Sequence, residues 1–550
     1  MDANHNEKEL ERLLQKSLPS KLIPTNPLEL VTVFELGDPP NNITIYSGLI
    51  PNSAVSEALS NDQWEIQLGW GRPEFEHDGN VVTRYQRISD HDGVEPLVHY
   101  REFHTSWKSM PELTEEFRLF HNLFQNDTGE LWMVDHNYEE VMVGRVVEKK
   151  VEVRLDLIRL YLAVRGMHLA IYYASHQRSD VTLAELGFTE ERREDQQDHD
   201  SCSHLVVEDG WDAATFSRRV GKILIPPYPQ THDSVRYFYD GPPKSYEDFI
   251  ICINDRGQEV RHTCNKGRLD NLFGANPGAP QYLTPVWFKA AVLDRYYNEP
   301  SRFSVLDGYI RCQGLWGHRI DNQNTEGIIC ALGDLGDLPP QEQAHWKAHN
   351  IPPKGGYSDT IKRRWFDAEF APSDRIEDDF QNAYSQLADI SRRMLGWHFL
   401  KPLHEDEQHL LSSIRTPTKN EQKEFDEIIG ALVKTVVDSM DVKKIKKLIP
   451  PAYTTTLEKG SLTGSISVLN HFFVSHNVAD ADVHIETLRD LQDYRSKATA
   501  HRRGSDWNLA LGKLNPGGGT LRETATFQIQ KTVEFLNFLS GLVKDFKTTK

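Results

Sequence analysis

Cysteine is scarce in this 550-residue chain. The five present (Cys202, Cys252, Cys264, Cys312 and Cys330) are an odd number and include no C-x-x-C pair. That argues against a disulfide framework and fits a reducing, cytoplasmic location. Long apolar runs are missing too: none approaches the roughly 20 residues of a membrane span, so no membrane partner is expected. The N-terminus, Met1 to Lys16, is charged and lacks the apolar segment of a secretory signal. There is no G-x-x-x-x-G-K-[ST] phosphate cradle, and Gly333-Asp334-Leu335-Gly336-Asp337 is too short and too acidic to stand in for one. The G-x-S-x-G nucleophile elbow is missing as well. No internal repeat at solenoid periods is detected.

What is present is enough for real cores. Hydrophobic residues make up 38%, with 11 Trp, 24 Phe and 19 Tyr, so global disorder is not expected. The length implies two or three domains. The net charge of −19 is uneven: Thr416 to Lys550 holds 19 Lys/Arg against 16 Asp/Glu, leaving −22 for the rest. An acidic body does not steer nucleic acid toward itself. The tail at least does not repel it.

The chain reads as multidomain, an α+β N-terminal region followed by an all-α C-terminal bundle. Residues 1–240 form the α+β N-terminal part, 241–371 a mixed α/β middle segment and 372–550 a helical domain. Met1 to Lys21 reads as one amphipathic helix carrying Leu10, Leu13, Leu14 and Leu18. Leu30–Phe34 and Ile43–Tyr46 read as strands, Pro111–Phe124 and Val151–Val164 as helices, and Met167–Tyr173 as a strand. Glu190–Asp200 reads as an exposed charged loop. Pro226-Pro227-Tyr228-Pro229 and Gly241-Pro242-Pro243 mark a boundary, after which Phe249–Ile253 reads as a buried strand. After Pro372, helices are expected at Asp374–Leu395, Glu421–Leu448, Ser461–Phe473, Asp480–Arg503 and Thr520–Lys547. Gly504–Gly519 links the last two.

One stretch of the helical part suggests a reaction: Asp493-Tyr494-Arg495-Ser496-Lys497-Ala498-Thr499-Ala500-His501-Arg502-Arg503-Gly504. Arginine is a permanent cation whose planar donors suit phosphate, and histidine exchanges protons near neutral pH. The apolar stripe of this helix is Ile485, Leu488, Leu491, Tyr494 and Ala498. His501 is next in that series, and Arg495 borders it. Residues six apart on a regular helix lie about 120° apart. The pair therefore converges only through an irregular last turn or across a symmetric dimer contact.

Arginine followed by histidine at this spacing, near the end of a helical bundle and before a last long helix, resembles the R-x4-6-H signature of the HEPN superfamily. The resemblance covers roughly Asp374 to Lys550. It implies a compact helical domain, a homodimer or higher homo-oligomer whose two motifs face each other, and metal-independent RNA cleavage without a cofactor. It places Arg495 and His501 in the catalytic roles, with Lys497, Arg502 and Arg503 as backbone contacts to RNA. A large unlike region joined to such a domain resembles anti-phage, abortive-infection toxins, hydrolases held silent until a phage-derived trigger arrives. The acidic N-terminal region would then sense or restrain.

Rival readings come from other residues. In a non-catalytic adaptor, Arg495 pairs with a neighbouring carboxylate, His501 caps the helix end, and the bundle only dimerises while the N-terminal region binds a protein or small ligand. A metal-dependent hydrolase would need ligands such as His199-Asp200-Ser201-Cys202-Ser203-His204, a run whose charged flanks read better as a solvated loop. Cys252, His262 and Cys264 form a second weak cluster, with Cys252 expected as a buried core thiol. The aromatic-rich stretches Thr284–Tyr297 and Gly308–Asn322 read as a specific surface or a packed core, with core the preferred reading.

Overall fold

The computed structural model describes residues 3–37, 43–60, 74–86, 94–211, 213–238, 241–271, 273–324, 326–458, 460–499 and 505–545. The chain divides into two compact units, Met1–Lys244 and Ser245–Lys550. The first is strand-rich and the second ends in helices. Among the described residues, no helix is long and apolar enough to cross a membrane.

The first unit is built on an 11-stranded sheet. From one edge its order is Arg192–Gln197, Ser201–Asp209, Thr215–Ile225, Met167–Ser179, Ile43–Pro51, Leu30–Glu35, Lys150–Arg154, Glu140–Val147, Glu130–Val134 and Phe124–Gln125, with Glu95–Pro96 added beside Ile43–Pro51. All of these pairings are antiparallel. Period-two burial explains the strands: Val31 and Val33 are fully buried, as are Val151 and Val153 on the neighbouring strand. The helix Leu155–Arg165 packs on this sheet and ends at Gly166. There φ is 65° and the glycine N–H returns to the Leu162 carbonyl, a left-handed cap that turns the chain into Met167–Ser179. Each aliphatic side chain sunk here, such as Ile158 or Leu162, contributes about 1.5–3 kcal/mol relative to exposure.

Several expected elements differ. The first helix covers only Ala3–Leu14, because Gln15 adopts φ 47°, and a second short helix, Leu18–Leu22, follows. Pro111 lies in the strand Met110–Leu113, a position proline tolerates at an edge, and the helix there is confined to Glu115–Phe120. Residues 150–154 are a strand rather than the start of a helix, since Val151 and Val153 alternate into the core. The charged run 192–197 is the edge strand of the sheet. Charge there does not forbid a strand; it blunts an otherwise open edge.

The second unit begins with three small antiparallel sheets. They are Asp248–Ile253 with Glu259–Thr263; Pro285–Phe288 between Ile328–Ala331 and Asn350–Ile351; and the meander Phe303–Leu306, Tyr309–Cys312, Trp316–Arg319. Phe249, Phe288, Tyr296 and Trp346 lie at their shared core, as expected for the aromatic-rich stretch. Cys252 departs from expectation: the strand buries Phe249 and Ile250 but leaves Cys252 exposed, because a bulge between Ile250 and Cys252 shifts the register.

Past Pro372 the structure is helical, and the same compact unit continues. Arg415 stacks on the Tyr297 ring at 4.0 Å and Lys419 pairs with Asp294 at 2.6 Å, tying the helices to the mixed segment. Ile376–Leu395 and the last helix, Leu521–Asp545, pack side by side. The expected helix over 421–448 is three pieces. Gln422–Leu432 runs into a π-helical turn, Val433–Asp438, and Val442–Leu448 restarts after Asp441, whose carboxylate accepts from the Lys444 N–H at 3.2 Å. The link after residue 504 also contains a helix, Ser505–Leu514, packed against Ala481–Thr499.

Candidate functional site

The helix Ala481–Thr499 carries the sequence-predicted arginine. Ile485, Leu488, Leu491 and Tyr494 of its expected stripe are buried, and Ala498 packs against the same core. Tyr494 fixes the helix's rotation. Its hydroxyl donates to Asp426 Oδ1 at 2.5 Å and accepts from Gln422 Nε2 at 2.7 Å, and Phe425 meets its ring edge-on at 5.3 Å. A buried tyrosine stays inexpensive only when its hydroxyl is paired, here by two part-buried partners, which restricts how the two helices can slide.

With Tyr494 turned inward, Arg495 emerges one step around the axis at the edge of the bundle. Its Nη1 donates to Asp438 Oδ2 at 2.7 Å, with the two side chains 30% and 42% exposed. Asp438 is the last residue of the π-helical turn, a distortion that recurs at functional sites. The turn is held from outside: the Lys401 N–H donates to the Ser439 carbonyl at 2.7 Å and the Asp441 N–H to the Phe399 carbonyl at 3.0 Å. The carboxylate facing Arg495 is therefore set in place, yet open to water.

Lys497 has different neighbours. It pairs with Asp493 at 2.9 Å, one turn back, and Asp493 also lies 3.8 Å from Lys513 of the helix Ser505–Leu514. Burial raises the pKa of nearby Asp490, opposed by the Lys513 charge. Arg495 and Lys497 thus pair with different carboxylates, Asp438 and Asp493. His501, Arg502 and Arg503 lie outside the described residues, so the arginine–histidine geometry lies outside them too.

Two features near Arg495 were missed in the sequence. Asp438 carried no signal, because its partner comes from a helix far along the chain. The run Val442-Lys443-Lys444-Ile445-Lys446-Lys447 did carry one, but it was absorbed into a single long helix. It forms its own short helix, with only Ile445 buried and all four lysines exposed. It begins just after the turn that ends at Asp438.

The other clusters resolve as structure. Cys202 and His204 lie on the strand Ser201–Asp209, with His204 Nδ1 2.5 Å from Asp195 across the edge pair. Cys264 is buried and donates to Gln343, well separated in register from Cys252. Among the described residues, no group of three or more His, Cys, Asp or Glu is arranged to hold a metal ion. In the mixed segment, Asp334 accepts from Tyr282 at 2.5 Å and from two nitrogens of Arg319 at 3.0 and 3.1 Å. His318 is buried nearby, and burial pushes its pKa down to about 4. Neither a family model, nor a curated protein, nor a solved structure matches this chain.

Proposed function

We propose that the helical part of this protein is a HEPN-like, metal-independent endoribonuclease acting as a homodimer in anti-phage defence, with the strand-rich N-terminal unit as its sensor or restraint. The observation that carries this reading is Arg495, at the edge of the bundle, whose ion pair with Asp438 is partly in water and open to exchange with an RNA phosphate. An exposed pair of this kind is worth roughly 0–1 kcal/mol, so exchanging Asp438 for phosphate costs little. The four exposed lysines of Val442–Leu448 add charge for the RNA backbone, a contact that positions without reading sequence.

In this reaction His501 removes the proton from a ribose 2′-hydroxyl, and the 2′-oxygen bonds to the adjacent phosphorus. The bond from phosphorus to the 5′-oxygen breaks, and that oxygen leaves with a proton. Arg495 neutralises the charge that builds on the non-bridging oxygens. The products are a 2′,3′-cyclic phosphate and a 5′-hydroxyl. Lys497, Arg502 and Arg503 serve as secondary backbone contacts.

The test is incubation of the full-length protein with total RNA in EDTA, followed by end-group determination. Cyclic phosphate ends that vanish in His501→Ala, with folding and dimerisation unchanged, support the reading. Cleavage that EDTA abolishes, or that survives His501→Ala, overturns it. A second reading draws on the same pair: in a non-catalytic adaptor, the Arg495–Asp438 contact merely closes the π-helical turn, and neither protein degrades RNA.

A further inference from the structure

The strand-rich unit holds a cavity of about 480 Å³ between the sheet and the segment that follows the first helix. That volume lies within the range of small-molecule sites. Its floor is a single cross-strand row. Gln196 pairs with Ser203, Ser203 with Gly221, and Gly221 with Tyr173, so these four positions of adjacent strands share one face. Gly221 is required there. A Cβ at that position would stand 2.4 Å from the Tyr173 hydroxyl and 2.7 Å from the Cys202 carbonyl. The bare backbone lets the tyrosine ring lie across the strand.

Two polar groups on this face are left incomplete. Tyr173 is 2% exposed, and its hydroxyl makes no hydrogen bond among the described residues. Burial pushes the phenol up to about 12, against the pull of the neighbouring Ser203 hydroxyl and the Arg219 charge, so it stays protonated and keeps a proton to donate. Arg219, one row away, is fully buried. Its Nη1 donates to Ser203 Oγ at 2.9 Å and Gln196 Oε1 at 3.3 Å, and its Nε and Nη2 donate to the Leu14 carbonyl at 3.2 and 2.9 Å. All three partners are neutral, and among the described residues no carboxylate stands within ion-pair distance. The Leu14 carbonyl ends a helix and brings at most about half a negative charge. The carboxylate acting on Arg219 is Glu194, beyond ion-pair distance and too weak to offset burial, which still lowers the guanidinium's pKa, so an anion in the adjoining cavity relieves a real cost.

We infer that this cavity is a binding site for a small organic anion, a phosphate or carboxylate bearing hydroxyl or amino groups. Its anionic group sits against Ser203 and the Tyr173 hydroxyl, with Arg219 behind them. Lys16 and Arg159 line the opening and add positive charge. Asp198 and Asp200, exposed at the rim, face the ligand's hydroxyl or amino donors. The carboxylates at the rim select against a bare inorganic anion. This site goes beyond the nuclease reading and stands or falls separately from it.

The experiment titrates the full-length protein by calorimetry and thermal melting with AMP, glucose 6-phosphate, citrate and inorganic phosphate. Tyr173→Phe is the principal variant. It deletes a hydroxyl that, among the described residues, has Ser203 nearby but no hydrogen bond of good geometry, so the free protein melts within a degree or two of the wild type. Binding of an organic anion that raises the melting temperature and weakens by about tenfold or more in Tyr173→Phe supports the site. Arg219→Gln is the second variant, and binding should be lost there if the protein stays folded. Sub-millimolar binding by none of the probes overturns the inference, as does affinity unchanged in Tyr173→Phe. Inorganic phosphate binding as tightly as the organic anions also overturns it, because the rim would then play no part.

Discussion

Asp438→Asn gives the sharpest test of how Arg495 is used. The Arg495–Asp438 contact is a hydrogen-bonded ion pair at 2.7 Å, with both side chains partly in water. Pairs of this kind contribute about 0.2–1 kcal/mol. Asparagine keeps the shape and one acceptor, so stability should fall by about 1 kcal/mol at most. On the proposed nuclease reading, Asp438 also competes with phosphate for the guanidinium. Removing a competitor worth 0.2–1 kcal/mol raises the apparent affinity for RNA by about two- to sixfold. Low salt enlarges the gain, because a negative charge has left the phosphate path. The assay is cleavage of a labelled RNA in EDTA at sub-saturating substrate, with a urea melt alongside. A variant that cleaves faster but melts as before bears out the argument. One that cleaves more slowly than the wild type refutes it, since Asp438 would then position Arg495 rather than compete for it.

Two further outcomes follow from the packing. Tyr494→Phe removes a buried hydroxyl that donates to Asp426 at 2.5 Å and accepts from Gln422, so chemical denaturation should show a loss of about 1.5–3 kcal/mol; a loss below about 0.5 kcal/mol would mean that the trio does not hold the helices in register. His318 in the second unit and His121 in the first are both buried, and burial depresses each to about 4. Their unfolded forms take up protons below about pH 6.5, so stability present above that pH declines as the solution is acidified toward pH 4. Each histidine should cost about 2 kcal/mol between pH 7 and pH 5, and urea midpoints of His318→Phe should drop less over that interval than those of the wild type. Parallel pH profiles for the two proteins would contradict this assignment.

The two-part architecture could be read from the sequence because periodicity is a local signal. Phe380, Leu387 and Ile390 recur at helical spacing and all enter the core, as do Phe425, Ile428, Ile429 and Leu432. Boundaries that depend on partners were less legible. Val151 and Val153 suit either a helix or a strand until Leu30–Glu35 pairs with them. The π-helical turn at Val433–Asp438 is helical in composition, so nothing local marks where the hydrogen-bond pattern widens. The exposure of Cys252 depends on one bulge in a hairpin. Arg495 stood out because its helix has a clean apolar stripe to border. Arg219 did not, since it sits beside Arg218 in a strand that becomes buried on both faces only further along. Alternation alone leaves open which of the two goes inside, and the structure buries Arg219 while leaving Arg218 exposed.

The contrast between these two arginines leads to a final prediction. Arg495 is partly in water beside the exposed Asp438 carboxylate, so in the proposed nuclease its exchange onto RNA would release ions and be screened by salt. For single-stranded RNA, each phosphate contact contributes about −0.7 to the slope of log affinity against log salt. Arg495 acting with the four lysines of Val442–Leu448 should therefore weaken RNA binding on the order of a hundredfold between 50 and 200 mM salt. Arg219 is walled off from solvent by Leu14, Gln196 and Ser203. A small anion neutralising it carries no condensed counterion layer, so its affinity changes far less over the same range. Both titrations can be run on the same preparation, with RNA in EDTA and the cavity probes without it. Equal salt slopes would show that the anion meets an open, hydrated surface rather than the enclosed row of Ser203, Gly221 and Tyr173.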